Sequence, residues 1–165
     1  MLFKQTRIGK NGVPFTIYKL RTIPEGASVP NAWGAFLRKS KLDELPQLIN
    51  VIKGDMAFVG PRPDVPGYAD KLGGADRLIL NVKPGITGLA SLKYRNEEQL
   101  LAQQPHPQYY NDEVIWPDKV RINKWYVVHR TFEMDLRIIL FTFLPIPFDV
   151  DTYIKNYNKV KLKKI

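Results

Sequence analysis

The stretch Leu42-Asp-Glu-Leu-Pro-Gln-Leu-Ile-Asn-Val-Ile-Lys-Gly54 leaves the backbone little choice. Its apolar residues Leu42, Leu45, Leu48, Ile49 and Ile52 recur three or four apart, the spacing of one helix face. Pro46 has no N–H, and its ring clashes with the carbonyl four residues earlier, so it belongs to a first helical turn. Gly54 suits the left-handed position that ends a helix. These signals predict a helix over about Asp43–Lys53 with its Leu/Ile face buried and Asp43, Glu44 and Gln47 off that face. Two carboxylates then stand at the positive end of a helix dipole, which favours their ionised form. Arg38, Lys39 and Lys41 precede them. Arg62 follows inside Gly60-Pro-Arg-Pro-Asp64, where two prolines restrict the backbone on either side of one guanidinium. An ionised acid pair ringed by cations can hold a divalent metal, attack phosphorus, or do both. On the residues alone such a pair is more commonly a surface feature that complements the dipole.

Around this stretch the pattern alternates between short strands and helices. Phe3–Ile8 and Val13–Leu20 read as two strands joined by Gly9-Lys-Asn-Gly12, a hairpin signal. Arg7, Lys10, Lys19 and Arg21 make that ribbon basic, either as a solvated edge or as a face for phosphates. Asn31–Lys39 reads as a short helix and Met56–Val59 as a strand. Asp64 is placed to cap a helix running to about Leu72, and Ala75–Val82 is a further short helix. Lys83-Pro-Gly-Ile-Thr-Gly88 is a glycine-rich turn, either a plain turn or one whose amides cradle phosphate, and Leu89–Leu92 after it is strand-like. Glu97–Gln103, Tyr109–Ile115 and Asp118–Arg130 are helical, the last two separated at Pro117. Val120, Trp125, Val127 and Val128 mark the buried side. Phe132–Leu144 is a very apolar helix, either a core element or an interfacial one. From Tyr153 the chain is basic, with Lys155, Lys159, Lys161, Lys163 and Lys164, and is expected to fray or to lie on an anionic surface.

Charge and composition narrow the chemistry. Lys and Arg outnumber Asp and Glu by 25 to 16, a net charge of +9, which favours acidic partners such as phosphates, nucleic acid or anionic lipid. With no cysteine there is no thiolate nucleophile or thiolate metal site. No Walker loop, G-x-G-x-x-G, H-E-x-x-H or G-x-S-x-G is present, and His106 and His129 are not spaced as a metal pair. Met1–Arg7 turns polar at once, unlike a leader. The apolar run Ile138–Phe148 is too short to span a bilayer and is broken by prolines. What survives is an Asp-Glu pair among cations, a set suited to phosphoryl chemistry.

The sequence closely resembles the bacterial sugar transferase family, the monotopic polyprenyl-phosphate phosphoglycosyl transferases. The resemblance rests on Phe3-Lys-Gln-Thr-Arg-Ile-Gly-Lys-Asn-Gly12, Tyr18-Lys-Leu-Arg-Thr22, the run Leu37–Met56, Val59-Gly-Pro-Arg-Pro63 and Lys83-Pro-Gly-Ile-Thr-Gly-Leu-Ala90. A weaker match spans Tyr126–Thr142. It implies an α+β catalytic domain over residues 1–150, mostly helical, with a small N-terminal hairpin, short strands and amphipathic interfacial helices, followed by a basic tail over 151–165. It also implies transfer of a sugar-1-phosphate from a UDP-sugar to undecaprenyl phosphate with release of UMP, the first step of lipid-linked glycan assembly. Carried onto this chain, Asp43 is the nucleophile, Glu44 holds Mg2+, and Arg38, Arg62 and Lys83 bind substrate phosphate or nucleotide. The implied location is the cytoplasmic face of the bacterial inner membrane.

Two departures stand out. Relatives carry an apolar reentrant helix before the segment matching Leu2–Gln5, where this sequence begins. The expected attachment is therefore peripheral, through the basic surface and the Phe132–Phe148 region. Many relatives also place an acid near the position of Asn123, which leaves a third metal ligand open. The alternative is a non-catalytic basic module on a membrane surface or on nucleic acid, although no nucleic-acid motif is present.

Overall fold

The computed structural model describes residues 2–144 and 146–162. Strands β1 (Leu2–Ile8) and β2 (Pro14–Leu20) form the expected antiparallel hairpin, in the register that sets Gln5 opposite Ile17. Asn11 and Gly12 take positive φ at its tip, the conformation an Asn-Gly pair tolerates best. Helix α1 (Ala32–Ser40) starts where Asn31 accepts the Gly34 N–H at 2.8 Å, a side-chain N-cap. Lys41 then turns left-handed, and Leu42–Gln47 forms a 3-10 helix leading into α2 (Leu48–Lys53), which Gly54 ends at φ 86°. The helix expected over Asp43–Lys53 is thus two pieces, the first wound tightly around Pro46.

Its polarity is the reverse of expectation. Leu45 is 52% exposed, Ile49 44% and Ile52 86%, whereas Asp43, Glu44, Gln47 and Asn50 are buried. The inward face is the polar one because it packs on β2: Asn50 Nδ2 donates to the Thr16 carbonyl at 2.7 Å.

A second, parallel pairing joins β3 (Ala57–Val59) to β4 (Gly85–Thr87). The backbone of Gly60 presses against Gly85 and Gly88 so closely that a Cβ at either glycine would collide with it. This ties up the expected glycine-rich turn: its Gly85 amide donates to the Pro61 carbonyl, and its Thr87 carbonyl accepts from the Gly60 amide, both at 2.9 Å. The strand-like run after it is instead helix α3 (Leu89–Lys93). Asp64 caps no helix, and only Ala69–Lys71 and Gly74–Asn81 of the following segment are 3-10 helical.

Helix α4 covers Glu97–Ala102 and α5 Pro107–Tyr110. The chain then runs without a break through a π-helical turn, Asn111–Ile115, into α6 (Trp116–His129). Pro117 does not separate two helices as expected. The wide turn upstream accommodates its ring and its missing N–H. Helix α7 (Phe132–Phe143) begins at Thr131, whose hydroxyl accepts the Met134 N–H at 3.1 Å. The basic segment expected to fray is helix α8 (Val150–Leu162), with Val150 and Ile154 buried; Lys163 and Lys164 lie outside the described residues.

The main core joins Val59, Leu89, Leu92, Ile122, Tyr126, Met134, Ile138, Val150 and Ile154. A smaller one gathers Ile8, Ala69, Ile79, Leu80 and Val120 beneath the hairpin. Val120 is on the expected side of α6, but Val128 is 62% exposed, and Ile122 and Tyr126 take the buried places. Only Met134 and Ile138 of α7 are buried; Phe132, Leu136, Leu140 and Phe143 are exposed. Among the described residues no helix is long and apolar enough to cross a membrane.

Candidate active site

The acid pair, the end of β2, the Pro-Arg-Pro turn, α3, α4 and α6 enclose one cavity of about 1180 Å3. Asp43, Glu44, Arg38 and Arg62 all line it; Lys83 does not, and sits exposed near Gly54.

Neighbours in sequence, Asp43 and Glu44 have different surroundings. Glu44 accepts from Arg62 Nη2 at 2.6 Å and from Lys19 Nζ at 3.3 Å. Burial alone would raise its pKa, but Arg62, Lys19 and Lys41 pull it down to about 2. Asp43 Oδ1 is buried with no hydrogen-bond partner. Burial raises the Asp43 pKa, the charge of Glu44 adds to the rise, and Lys19 and Lys41 oppose it. The expectation that a helix dipole holds both carboxylates ionised therefore fits Glu44 only in outcome. A single 3-10 turn carries little dipole, and nearby cations set its charge.

Local structure explains the placement. The left-handed Lys41 turns the chain between α1 and the 3-10 helix, so the acid pair faces β2. Ile17 and Lys19 share one face of β2, which carries Lys19 to Glu44. Of the basic ribbon, Lys19 and Arg21 are thus part of the cavity wall, and Arg7 and Lys10 are not. Arg62 projects from between Pro61 and Pro63. Arg38 Nε donates to Thr22 Oγ1 at 2.9 Å, and Arg38 Nη1 pairs with Glu98 at 3.1 Å.

Other lining residues escaped the sequence reading. Lys119 on α6 pairs with Glu97 at 2.6 Å, and Asp64 lies between the prolines' turn and Lys119. Burial pushes the Asp64 carboxyl up to about 6, against the pull of Lys119 and Arg7. The available signal was the i, i+3, i+7 spacing of Trp116, Lys119 and Asn123, all of which line the cavity from one helix face.

A cavity lined by cations, with one paired carboxylate beside one open carboxylate, can hold an anion next to a nucleophile. Residues 1–148 match the family model described as bacterial sugar transferase. The chain belongs to that family.

It is 36% identical over 152 residues to the uncharacterized sugar transferase EpsL of Bacillus subtilis, covering 86% of this chain and 67% of that protein. It is 41% identical over 109 residues to the UDP-glucose:undecaprenyl-phosphate glucose-1-phosphate transferase of Caulobacter vibrioides, covering 56% and 40%. It is 36% identical over 125 residues to the undecaprenyl-phosphate galactose phosphotransferase of Salmonella typhimurium, covering 76% and 22%. The chain thus spans from about a fifth to two thirds of the length of these relatives.

Proposed function

We propose that this chain is the catalytic domain of a phosphoglycosyl transferase that moves a sugar-1-phosphate from a UDP-sugar to undecaprenyl phosphate, with release of UMP. The observation that carries the reading is the buried, unpartnered Asp43 Oδ1 in a cation-lined cavity. In the first step the Asp43 carboxylate attacks the β-phosphorus. The bond from that phosphorus to the bridging oxygen breaks, and UMP leaves with the electron pair. In the second step a phosphate oxygen of undecaprenyl phosphate attacks the same phosphorus, and the Asp43 carboxylate leaves. Arg62, Lys19 and Arg38 hold the diphosphate against charge build-up. Arg62 and Arg38 meet the incoming phosphates by exchanging Glu44 and Glu98 for phosphate oxygens.

Among the described residues no group of three or more acidic, histidine or cysteine side chains is arranged to hold a metal by itself. The donor set fits Mg2+ arriving with its substrate, since that ion commonly takes one or two carboxylates and completes its shell with phosphate oxygens and water. Glu44 would hold it, with the open oxygen of Asp43 alongside. When bound, the ion neutralises the diphosphate and the departing UMP.

The outward apolar side chains support docking on a lipid surface, where the acceptor resides. Trp33, Phe36, Leu45, Ile49, Ile52 and Phe58, and Phe132, Leu136, Leu140 and Phe143 on α7, are exposed. The basic hairpin suits anionic headgroups on the cytoplasmic face of the bacterial inner membrane.

The test is UMP release from a panel of UDP-sugars with Mg2+ and undecaprenyl phosphate in nanodiscs. Release that requires the acceptor for turnover supports the reading; silence from folded protein on the whole panel sinks it. Docking has its own test. Ile49→Gln with Ile52→Gln should lower partition onto anionic vesicles several-fold while leaving Tm unchanged, because these side chains pack on no core. Unchanged partition would remove this face from the interface.

A further inference from the structure

The inner wall of the cavity, away from the acid pair, is polar, and one of its groups has no partner in the protein. Ser91 Oγ on α3 is buried without a partner. Asn123 on α6 is only 5% exposed and turns its polar side chain to the same wall. Asp64 feels Lys119, Arg7 and Arg62 as charges acting through space rather than as hydrogen-bond donors. All three line the same cavity, as does Trp116. Buried polar groups are normally bonded, and leaving one unmet costs its desolvation with no return. A wall that sets such a hydroxyl beside an amide and a carboxylate is shaped for a polar guest.

The pieces are held firmly. The Asp64 carbonyl accepts the Ile8 N–H at 2.9 Å, and Arg7 donates to the Pro63 carbonyl at 3.4 Å, which fixes the chain on which Asp64 sits. Tyr94, three residues after Ser91, donates to Asp118 at 2.7 Å, and Lys119 Nζ lies 5.7 Å from its ring centroid, so α3 and α6 are locked together. Asn123 is one turn beyond Lys119 on the cavity face.

We propose that Asp64, Ser91 and Asn123, with Trp116 as an apolar platform, form the subsite that reads the sugar ring of the nucleotide sugar; this rests on the transferase reading above. Position favours the sugar over the uridine. Asp64 is two residues beyond Arg62, a span of at most about 7 Å along the chain. If Arg62 grips the β-phosphate, the group bonded directly to that phosphate is the sugar. Chemistry agrees. A carboxylate accepts hydroxyl hydrogens and repels phosphate, while a serine hydroxyl and an asparagine amide both donate and accept. Such a set distinguishes hydroxyl orientations on a ring whose C–H face lies on an indole. The recognised class is a hydroxylated pyranose. Asp64, Ser91 and Asn123 thereby become specificity-determining residues.

The experiment measures binding of UDP and of a panel of UDP-hexoses by calorimetry. It uses the whole chain with Asp43→Asn, which prevents turnover, and adds Asp64→Asn, Ser91→Ala or Asn123→Ala. The expected result is a tenfold or greater loss of affinity for the preferred UDP-hexose in Asp64→Asn, smaller losses in the other two, and UDP affinity kept within twofold. Retained UDP binding shows in the same sample that the variant is folded. Equal losses for UDP and UDP-hexose, or no loss in any variant, would overturn the subsite. If Asp64→Asn does not fold, Ser91→Ala and Asn123→Ala decide by the same ratio. Absence of UDP binding by the Asp43→Asn protein itself would remove the nucleotide-sugar reading, a different failure from loss of the sugar subsite alone.

Discussion

Two clusters of acids and bases in this molecule use the same side-chain types and end in opposite states. Where α3, α6 and α8 meet, Lys93 Nζ bridges Asp118 at 2.7 Å and Asp151 at 2.6 Å, and Arg121 bridges the same two carboxylates at 2.7 and 2.6 Å. Tyr94 adds a hydrogen bond to Asp118 Oδ2. Each of the carboxylate oxygens has a partner, and hydrogen bonds from Lys93 and Arg121 lower the pKa of both acids, outweighing the effect of burial. In the cavity, Glu44 is satisfied in the same way, but Asp43 keeps an oxygen unmatched in a more buried place. A closed network joins helices. An open one leaves an acceptor that a hydrogen-bond donor or a cation can meet, which gives it chemistry at a cost in stability.

The strongest way to break the comparison is Asp43→Asn. It should abolish UMP release while leaving the fold at least as stable at neutral pH. The sign follows from the raised pKa: a buried carboxyl of that kind adds stability only below its unfolded pKa and loses it as pH rises. Full activity in this variant would refute the nucleophile. Glu44→Gln comes next, and acts on stability as well as turnover. The Glu44 pKa falls from 4.5 to about 2 on folding, so its contribution is complete above pH 4.5 and disappears as pH falls through 2. That is worth about 3 kcal/mol by linkage. Urea melts at pH 6 and pH 2 should show the wild type losing about that much more than Glu44→Gln across the interval. Parallel curves would mean that Arg62 and Lys19 do not hold Glu44 in the folded protein.

The contrast also marks where sequence reasoning stops. The hairpin, the short helix after Pro30 and the Gly54 stop were legible because each depends on φ preferences or hydrogen bonds within a few residues. The cavity's Asp43, Glu44, Arg38 and Arg62 were legible through the family's motifs. The face of the Leu42–Lys53 stretch was not. Periodicity tells which residues share a side, but the identity of the partner decides which side is buried, and here β2 presents the Thr16 carbonyl and Lys19. Lys83 stands outside the cavity because the turn that follows it is consumed by strand pairing. Asp64, Ser91 and Asn123 converge from three distant segments, and only the helical spacing of Asn123 from Trp116 and Lys119 hints at a shared face.

The smallest effect belongs to the closed cluster, where it sharpens the contrast most. Asp151 is 39% exposed in its side chain and Arg121 51%, so water already screens the network. Asp151→Asn removes one carboxylate charge but leaves Asp118 to hold Lys93 and Arg121, so neither cation is stranded. The expected cost is about 1 kcal/mol in low salt, shrinking as salt is added. The release should register first as faster amide exchange in α8, whose Val150 and Ile154 still anchor it to the core. Turnover should be unchanged, since neither Asp151 nor Arg121 lines the cavity. A loss of activity comparable to that of Glu44→Gln would show that the helix junction controls the geometry of the acid pair, and that the two clusters form one network.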